Sequence, residues 1–467
     1  MEKQVDFDIV IVGCGVAGAA AALSAAEHAK QTGKNARIAI LERTDYHHRG
    51  GNSRWTAAFL RMESLERTAD NFVEDMLSFS SYYSDKKYIE TLAEHAGETL
   101  KWVHEKGVDF DHLPTMFLTS SKPRLLPVGG GRAIIDCLLR RAEALGVQMI
   151  YETTAWQLLL DDEGAIEGLM VRVKGGTSYR LGTRTVILAA GGFQGNPEMM
   201  AQYIGRDAHQ IPTIAEGGLA NKGECIRMAM AIGAKGAGQW DSFHAEPVDP
   251  RSKREEATVM TYPYAILVER NGRRFLDEGI STVDEQYESV ARTIFYDLPG
   301  RMAYMVSDQK MFAIPNYERA LQTEQPPIEA DTIEELAGKI GVPPENLGET
   351  VRAFNEAIQP GPFYWDRKDG KHTSGITPPK SNWAIPIDQG PFIAYPVICS
   401  NVFSYGGLFT DTDGRVLTGD NDAIPGLYAA GEITGLYYGK YPGATSVLRG
   451  LVFGRRAGAH ALAYGLK

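Results

Sequence analysis

Cysteine is scarce in this chain of 467 residues, which has four cysteines and no CxxC pair among them. Scattered cysteines are typical of a reducing compartment and provide neither a disulfide framework nor a zinc site. No apolar run approaches the length of about 20 residues that a membrane-spanning helix needs. The first residues also lack the basic, apolar and cleavage regions of a signal peptide. We therefore predict a cytoplasmic protein with no membrane insertion and no bound metal.

Basic residues are too few to suggest nucleic acid as a partner. The chain has 48 basic and 59 acidic residues and a net charge of −11, whereas binding to phosphate backbones needs a basic surface. The length favours two or three domains. The hydrophobic fraction of 43% is that of an ordinary globular protein.

Glycine, by contrast, is abundant and clustered. Residues 7–12 (FDIVIV) predict a strand that is buried on both faces, and the Ala-rich stretch after the next few residues predicts a helix. Between them lies a GxGxxG pattern formed by Gly13, Gly15 and Gly18. Residues 36–42 (ARIAILE) predict a second buried strand. This β-α-β order with parallel strands is typical of a Rossmann-type dinucleotide-binding domain.

The three glycines and the end of the second strand each have a role at a dinucleotide. Gly13 allows the tight turn, Gly15 lets the backbone reach the pyrophosphate, and Gly18 lets the helix pack on the sheet. The helix N-terminus offers N–H groups to the phosphates. Glu42 follows Gly18 by 24 positions (42 − 18) and can accept hydrogen bonds from ribose hydroxyls.

Two later segments favour FAD over NAD. The stretches 185–192 (TVILAAGG) and 426–435 (GLYAAGEITG) are further strand-to-glycine segments. An NAD domain does not need them, whereas the longer FAD molecule needs additional backbone contacts. Gly431 allows a close approach, and Glu432 can bond a ribityl or ribose hydroxyl. We therefore predict FAD as the cofactor.

The middle of the chain differs in character from both ends. Asn271–Gly272 predicts a hairpin turn, 333–358 predicts two short helices, and 359–380 is rich in Pro and Gly. The residue patterns elsewhere predict helices over most of 80–146 and over 222–235. They also predict a pair of strands that turn at Asp162–Gly164. The glycine-rich motifs return towards the end. We predict an α/β protein with a discontinuous Rossmann-type FAD-binding domain at 1–240 and 366–467 and an inserted α+β capping domain at 241–365.

Four segments together resemble the fumarate reductase/succinate dehydrogenase flavoprotein superfamily: GCGVAG, RGGNSRWTAA, TVILAAGGF, and the stretch from GLYAAGEITG to SVLRGLVFGRRAGAHA. Within it, RGGNSR together with YPGATSVLRG most closely resembles the tricarballylate dehydrogenases. The Tyr-Pro-Gly-Ala run is also similar to that of ketosteroid dehydrogenases. The resemblance implies FAD, a capping domain over the flavin, and oxidation or reduction of a carbon–carbon bond next to an electron-withdrawing group.

Some members of this superfamily attach FAD covalently through a histidine, and the position that matches it here is Asn52. His47 and His48 are nearby but would need a shift along the chain. We therefore predict non-covalent FAD, with Asn52 and Ser53 bonding the flavin or its phosphates. The predicted cofactor-binding residues are Gly13, Gly15, Val16, Ala17, Gly18, Glu42, Arg43, Gly50, Gly51, Asn52, Ser53, Ala190, Gly191, Gly192, Gly431, Glu432, Ala444, Ser446 and Val447.

Two departures argue against a fumarate reductase. In those enzymes an arginine that follows the RFxxE segment donates a proton, and here its place is taken by Thr282 or Val283. A pair of histidines is also expected before Gly406–Gly407, where this chain has Asn401–Tyr405.

The candidate catalytic residues are few. Tyr441 matches the tyrosine that ketosteroid dehydrogenases use at the flavin, and the charge of Lys440 next to it favours a phenolate, so Tyr441 is a candidate base or a packing residue. His244 stands where the superfamily places a substrate-binding histidine, or has a structural role. Arg54 and Arg449 could each hold a substrate carboxylate, or lie at the surface.

The final helix has its own predicted role. Ser446 is a suitable N-cap for it. Its N-terminus, within Ala444–Val447, would point at the flavin C2=O and stabilise the anionic reduced flavin.

These residues lead to a first hypothesis: an FAD-dependent dehydrogenase of a small polycarboxylate, similar to tricarballylate dehydrogenase. The cations among the candidate residues favour such an anionic substrate. Electrons would pass to a separate acceptor, because the chain has no iron–sulfur or haem ligands. The alternatives are a reductase of an unsaturated acid, a ketosteroid-type dehydrogenase, and a flavin-binding subunit without turnover of its own. The oligomeric state stays open.

Overall fold

A computed structural model describes residues 6–113 and 123–466 of the chain. Within them the chain forms two compact units. Unit 1 comprises 6–113, 123–244 and 402–466, and unit 2 comprises 245–401. No helix in these ranges is long and apolar enough to cross a membrane.

The elements of the first part of the chain belong to unit 1. They are β1 (Ile9–Val12), α1 (Val16–Gln31), β2 (Ile38–Leu41), α2 (Phe72–Phe79), α3 (Lys86–Glu105), β3 (Phe110–Leu113), β4 (Arg124–Pro127), α4 (Gly130–Ala144), β5 (Gln148–Ile150), β6 (Thr153–Leu160), β7 (Ile166–Val173), β8 (Ser178–Gly182), β9 (Val186–Leu188), α5 (Pro197–Met199), α6 (Glu224–Met230) and β10 (Gly236–Ala237).

The remaining elements form unit 2 and then return to unit 1. Unit 2 has β11 (Phe243–Val248), β12 (Ile266–Val268), α7 (Val283–Tyr296), β13 (Ala303–Asp308), β14 (Ile328–Ala330), α8 (Ile333–Ile340), α9 (Pro344–Ala357) and β15 (Phe392–Ser404), of which β11 begins and β15 ends in unit 1. Unit 1 then continues with β16 (Gly407–Leu408), β17 (Arg415–Leu417), β18 (Ala423–Ala429) and α10 (Ser446–Gly465).

The central sheet of unit 1 has the strand order β17-β18-β9-β1-β2-β5. Strands β18, β9, β1, β2 and β5 are parallel, and β17 is an antiparallel edge strand. Every residue of β1 and β2 is buried, as the continuous apolar runs predict. Because parallel strands end at one edge of a sheet, the loops that follow β1, β2, β9 and β18 all lie at that edge. The predicted α/β fold with a parallel sheet is confirmed.

Helix α10 packs closely on α1 because both helices carry small residues at the contact. Helix α1 has 12 buried residues among its 16, and eight of the 12 are Ala. A Cβ atom at Gly454 would lie 2.3 Å from the Ala17 carbonyl oxygen, and one at Gly458 would lie 2.1 Å from that of Ala21. The absence of side chains at these two glycines lets the helix backbones touch.

Unit 2 contains a sheet of order β11-β15-β13-β12, with β14 also paired to β15. Helices α8 and α9 bury Leu336, Leu347 and Phe354 in a core shared with β12 and β13. The two helices predicted within 333–358 are confirmed.

The second division between the units lies between residues 401 and 402, whereas the sequence places it near 365. Residues 366–401 belong to unit 2 because β15 pairs with β13 from Val397 to Phe392. In addition, Lys380 Nζ donates to the Ala265 carbonyl oxygen at 2.7 Å. Such pairings between distant segments leave no mark in local composition.

Other local predictions had mixed outcomes. Strands β6 and β7 turn at Asp161–Gly164 as predicted, through the Gly164 N–H and the Asp161 carbonyl oxygen. The helix predicted at 222–235 is shorter, because α6 ends at Met230. The prediction of mostly helix over 80–146 was wrong at β3 and β4, which pair as an antiparallel hairpin.

Candidate active site

The glycine-rich loop between β1 and α1 has the geometry that a dinucleotide requires. A Cβ atom at Gly13 would lie 2.5 Å from the Ala189 carbonyl oxygen, and one at Gly18 would lie 2.0 Å from the Gly13 carbonyl oxygen. At Gly15, however, the nearest atoms to a Cβ lie 3.5 Å away, and one of them is Ser53 Oγ. Gly13 and Gly18 are therefore required by packing, whereas Gly15 faces space that a ligand could use.

The N-terminus of α1 can receive an anion. Its N-cap is Gly15, which brings no side-chain hydrogen bond, and its first turn contains no acidic residue. The first helical bond joins the Ala19 N–H to the Gly15 carbonyl oxygen. The preceding N–H groups have no helical partner, so they and the helix dipole suit a pyrophosphate.

Glu42 directly follows β2 and is buried beside the glycine-rich loop. Its Oε2 accepts hydrogen bonds from the Cys14 N–H at 3.2 Å and the Cys14 Sγ at 2.9 Å, and its Oε1 accepts from the Thr44 N–H at 2.9 Å. Glu42 thus links the loop to the second strand at the place predicted for the ribose. Arg43, which follows it, pairs with Glu224 at 2.8 Å.

The Gly50–Arg54 segment turns sharply next to this loop. Gly50 has a φ of +103° and Gly51 a φ of +55°. Asn52 Nδ2 donates to the Val402 carbonyl oxygen at 2.8 Å, whereas Asn52 Oδ1 is buried and has no partner among the described residues. An unpaired buried acceptor is costly, so Asn52 fits a cofactor that donates a hydrogen bond there.

Hydrogen bonds to one carboxylate, that of Glu432, join the segments that follow β9 and β18. These segments contain Ala190, Gly191, Gly192, Gly431 and Glu432. Glu432 accepts hydrogen bonds from Asn221 Nδ2 at 3.0 Å, Gln194 Nε2 at 3.4 Å and the Ser404 N–H at 3.1 Å. Burial raises the pKa of Glu432 to about 7, against the opposing effects of the hydrogen bonds from Gln194 and Ser404 and of the Arg449 charge.

Sequence reasoning missed Asn221, Gln194 and Ser404. Gln194 is two residues beyond the paired glycines and could have been considered, because it continues the same loop. Asn221 and Ser404 had no local signal, since they reach Glu432 from distant parts of the chain.

Tyr441 caps the final helix. Its hydroxyl oxygen accepts the Thr445 N–H and the Ser446 N–H, both at 2.9 Å, and its hydroxyl donates to Ser446 Oγ at 3.0 Å. The predicted N-cap role of Ser446 was wrong: the N-cap is Thr445, and Ser446 is the first helical residue. Ala444 has a φ of +60°, and Val447 is buried. Side chains from outside the helix can thus replace a local cap.

Tyr441 belongs to a group of five rings that we call the aromatic cluster: His244, Phe403, Tyr405, Tyr437 and Tyr441. The ring centroids of His244 and Tyr441 are 4.4 Å apart, and those of His244 and Phe403 are 4.9 Å apart. The Phe403 and Tyr441 rings meet at 5.0 Å, and the Tyr405 and Tyr437 rings at 5.7 Å. His244 is 2% exposed. The predicted site residues His244 and Tyr441 are therefore in contact, within an apolar setting.

The three predicted cations have different surroundings. Arg54 Nη1 pairs with Asp136 of α4 at 3.2 Å. Lys440 is exposed. Arg449 is 1% exposed and lies over the Tyr437 ring, with 4.7 Å from its guanidinium carbon to the ring centroid. No group of metal-ligating side chains occurs in the described ranges.

Residues 8–448 match the FAD binding domain family. The chain belongs to this family. It is 26% identical to the vinyl phenol reductase of Lactiplantibacillus plantarum (strain ATCC BAA-793 / NCIMB 8826 / WCFS1), and the match covers 99% of this chain and 98% of that protein.

Two solved structures are similar in fold. The open conformation of a flavocytochrome c3 fumarate reductase is 25% identical, with a TM-score of 0.81 over 100% of this chain and 80% of that one. The 3-ketosteroid-Δ4-(5α)-dehydrogenase of Rhodococcus jostii RHA1 is 25% identical, with a TM-score of 0.70 over 99% of this chain and 98% of that one.

The family match and the geometry agree on the cofactor and the class of reaction. The chain is a member of the fumarate reductase/succinate dehydrogenase flavoprotein superfamily and binds FAD. It is an FAD-dependent oxidoreductase that acts on carbon–carbon single or double bonds. The α1 N-terminus, the glycine-rich loop and the unpaired Asn52 Oδ1 are the features whose geometry suits such a cofactor.

Proposed function

We propose that this oxidoreductase reduces a C=C bond conjugated with an aromatic ring or a carbonyl group, in a substrate whose oxygen is bound by Tyr441. One observation carries the proposal: the Tyr441 hydroxyl is fixed by two backbone N–H groups of α10 inside the aromatic cluster. Rings on several sides and one oriented hydroxyl suit a planar substrate with a single polar end.

The surroundings of the cations support an uncharged substrate. A carboxylate clamp needs guanidinium groups with free donors that converge on one point. Arg54 is already paired with Asp136, so of the two arginines only Arg449 has no carboxylate partner. Arg449 is stacked on Tyr437 and keeps an unpaired Nε, but a single guanidinium does not make a clamp of converging groups. Phe403 adds a ring to the cluster from the segment where a pair of histidines is expected in a fumarate reductase.

Tyr441 can also deliver the proton that the reaction needs. Reduced FAD, when bound, would supply a hydride, and a separate electron donor would reduce the flavin again for the next turnover. The Tyr441 hydroxyl donates to Ser446 Oγ at 3.0 Å, and it must turn from that oxygen to give its proton to the substrate. The oxygen left behind would face the N–H groups of Thr445 and Ser446. Donors fixed before the reaction stabilise such an oxyanion at no cost of reorganisation, and the N-terminus of α10 favours the same charge.

The relatives support this proposal and one alternative. The vinyl phenol reductase and the ketosteroid dehydrogenase are named for substrates with an aromatic or ketone group, in line with the proposal. The fumarate reductase is named for an unsaturated acid. It supports a second candidate, a small polycarboxylate of the tricarballylate kind or its unsaturated counterpart.

The experiment is an anaerobic assay of the purified holoenzyme with reduced methyl viologen as electron donor. We expect 4-vinylphenol or 2-cyclohexenone to be reduced and fumarate to be a poor substrate. Tricarballylate is tested in the opposite direction with dichlorophenolindophenol as acceptor. Turnover of the acids alone, with a KM that rises with salt, would favour the second candidate. Failure of every compound to reoxidise the reduced flavin would favour a flavin-binding subunit.

A further inference from the structure

Arg449 is the most deeply buried cation of unit 1, with 1% of its surface exposed. Its Nη1 donates to the Thr434 carbonyl oxygen at 3.1 Å, and its Nε is buried without a partner. Among the described residues it forms no ion pair with a carboxylate. An arginine cannot lose its proton in a protein, and burying its charge is costly unless other groups compensate it. Packing alone therefore does not explain why a charged residue occupies this position.

An aromatic ring and a carbonyl contact the guanidinium directly, and its charge also acts on the buried carboxyl group of Glu432, whose pKa it lowers. The guanidinium lies over the Tyr437 ring at 4.7 Å, a distance at which the ring face attracts a cation. Together with the bond to the Thr434 carbonyl, this contact ties α10 to both ends of the 434–437 segment. A planar guanidinium can stack and donate at the same time, which a lysine ammonium cannot do as well.

Tyr437 contacts both Arg449 and Tyr441. The two rings meet edge to face, 5.1 Å apart at an interplanar angle of 84°. The Tyr437 hydroxyl hydrogen-bonds Thr445 Oγ1 at 3.0 Å, and the N–H of the same Thr445 is bonded to the Tyr441 hydroxyl. Burial raises the pKa of Tyr437, against the opposing charge of Arg449, so its hydroxyl stays protonated at neutral pH.

We propose that Arg449 is a positioning residue rather than a substrate ligand: by stacking on Tyr437 and bonding the Thr434 carbonyl oxygen, it fixes the place of the Tyr441 hydroxyl. The inference deepens the proposed function, because it rests on the role given there to Tyr441. It also explains why a buried arginine is kept at this position. A small displacement of the Tyr441 hydroxyl would reduce the reaction rate strongly.

The first test is a double-mutant cycle of Arg449→Met and Tyr441→Phe in the FAD-loaded enzyme, with 4-vinylphenol and reduced methyl viologen. We expect Arg449→Met to lower kcat by about tenfold to 100-fold with little change in KM. In the Tyr441→Phe background the same change should have almost no further effect, because the group that it positions is gone. Full additivity of the two effects would overturn the proposal, as would a large rise in KM without loss of kcat.

Two further variants separate positioning from folding. Arg449→Lys keeps the charge but not the stacking plane, so its kcat should lie between those of the wild type and Arg449→Met. Arg456→Met removes a cation from the same helix, where Arg456 pairs with Asp413 at 2.8 Å, and should leave kcat unchanged. Equal kcat values for wild type, Arg449→Lys and Arg449→Met would contradict the proposal.

A spectroscopic test does not depend on the substrate. In FAD-loaded protein that contains 3-fluorotyrosine, the ¹⁹F signal of Tyr441 is assigned by its loss in Tyr441→Phe. We expect Arg449→Met to shift or broaden this signal, and Arg456→Met to leave it in place. An unmoved Tyr441 signal in folded Arg449→Met would overturn the inference even if 4-vinylphenol were turned over. A moved signal without turnover of any compound would support the inference and count against the proposed substrate.

Discussion

Two regions of unit 1 are built by different means: the glycine-rich loops at the FAD site, which we call the cofactor side, and the aromatic cluster. The cofactor side is made of backbone, and a single added Cβ atom would lie 2.0 Å from a carbonyl oxygen at Gly18 and 2.5 Å from one at Gly13. The aromatic cluster is made of side chains from three separate segments, around residues 244, 403–405 and 437–441. Their rings meet at 4.4–6.0 Å.

This difference explains how one scaffold serves several substrates. The cofactor side cannot change without losing its ligand, because backbone contacts leave no room for variation. The rings of the aromatic cluster can be exchanged for charged groups while the strands beneath stay in place. Substrate preference should therefore depend on the aromatic cluster, and FAD affinity on the glycine-rich loops.

The largest effect on cofactor binding is expected from Gly18→Ala. The new methyl group would collide with the Gly13 carbonyl oxygen, so the loop must move, and the Kd for FAD should rise on the order of 100-fold or more. The ratio of flavin absorbance to protein concentration gives the FAD content, and titration of the apoprotein with FAD gives the Kd. Gly419→Ala is the matched control, since nothing lies within 4 Å of its Cβ position. Normal FAD content in Gly18→Ala would show that the close backbone contacts of the glycine-rich loop do not control FAD affinity.

Tyr441→Phe should abolish turnover but not FAD binding. Loss of the proton donor should lower kcat on the order of 1,000-fold, whereas the glycine-rich loops are untouched. Steady-state kinetics and FAD content are measured on the same sample. Tyr83→Phe, at a side chain that is 75% exposed, is the control. An unchanged kcat would show that Tyr441 only packs.

Glu432 should make the apoprotein less stable at higher pH. Its pKa is about 7 in the folded chain against 4.5 ordinarily, so the folded state binds the proton more tightly than the unfolded state. The resulting stability is complete below about pH 4.5 and lost as pH rises through 7, and it amounts to about 1–3 kcal/mol. Urea unfolding of apoprotein at pH 5 and pH 8 measures it.

Glu432→Gln provides the comparison for that titration, because an amide carries no proton to lose. Its free energy of unfolding should change less between pH 5 and pH 8 than that of the wild-type apoprotein. Equal pH dependence of the two proteins would assign the effect to other groups.

The smallest effect is expected from Asn52→Ala. Loss of one hydrogen bond to the cofactor should raise the Kd for FAD about tenfold. Acid precipitation of the wild-type protein should release all FAD into the supernatant, because the predicted attachment is non-covalent. Flavin retained in the pellet would contradict that prediction.

The cofactor side could be predicted from the sequence because its rules are local. A buried strand, three glycines at fixed spacing and a helix leave few alternatives for Gly13, Gly15 and Gly18. The parallel sheet followed from the same runs, since continuous apolar strands must be covered on both faces. The limits of the inserted unit did not follow, because β15 pairs with strands far away in the chain.

The sequence alone thus determined the FAD-binding fold and the residue types at the strand ends, where chemistry depends on neighbours along the chain. Only the tertiary structure decided what Tyr441, Arg54 and Arg449 contact. Arg54 pairs with Asp136, and Arg449 stacks on the Tyr437 ring. The Tyr441 hydroxyl oxygen accepts a hydrogen bond from the first N–H group of α10. The physical reason is that the partner of a long polar side chain is set by packing between distant segments, and no local pattern records it.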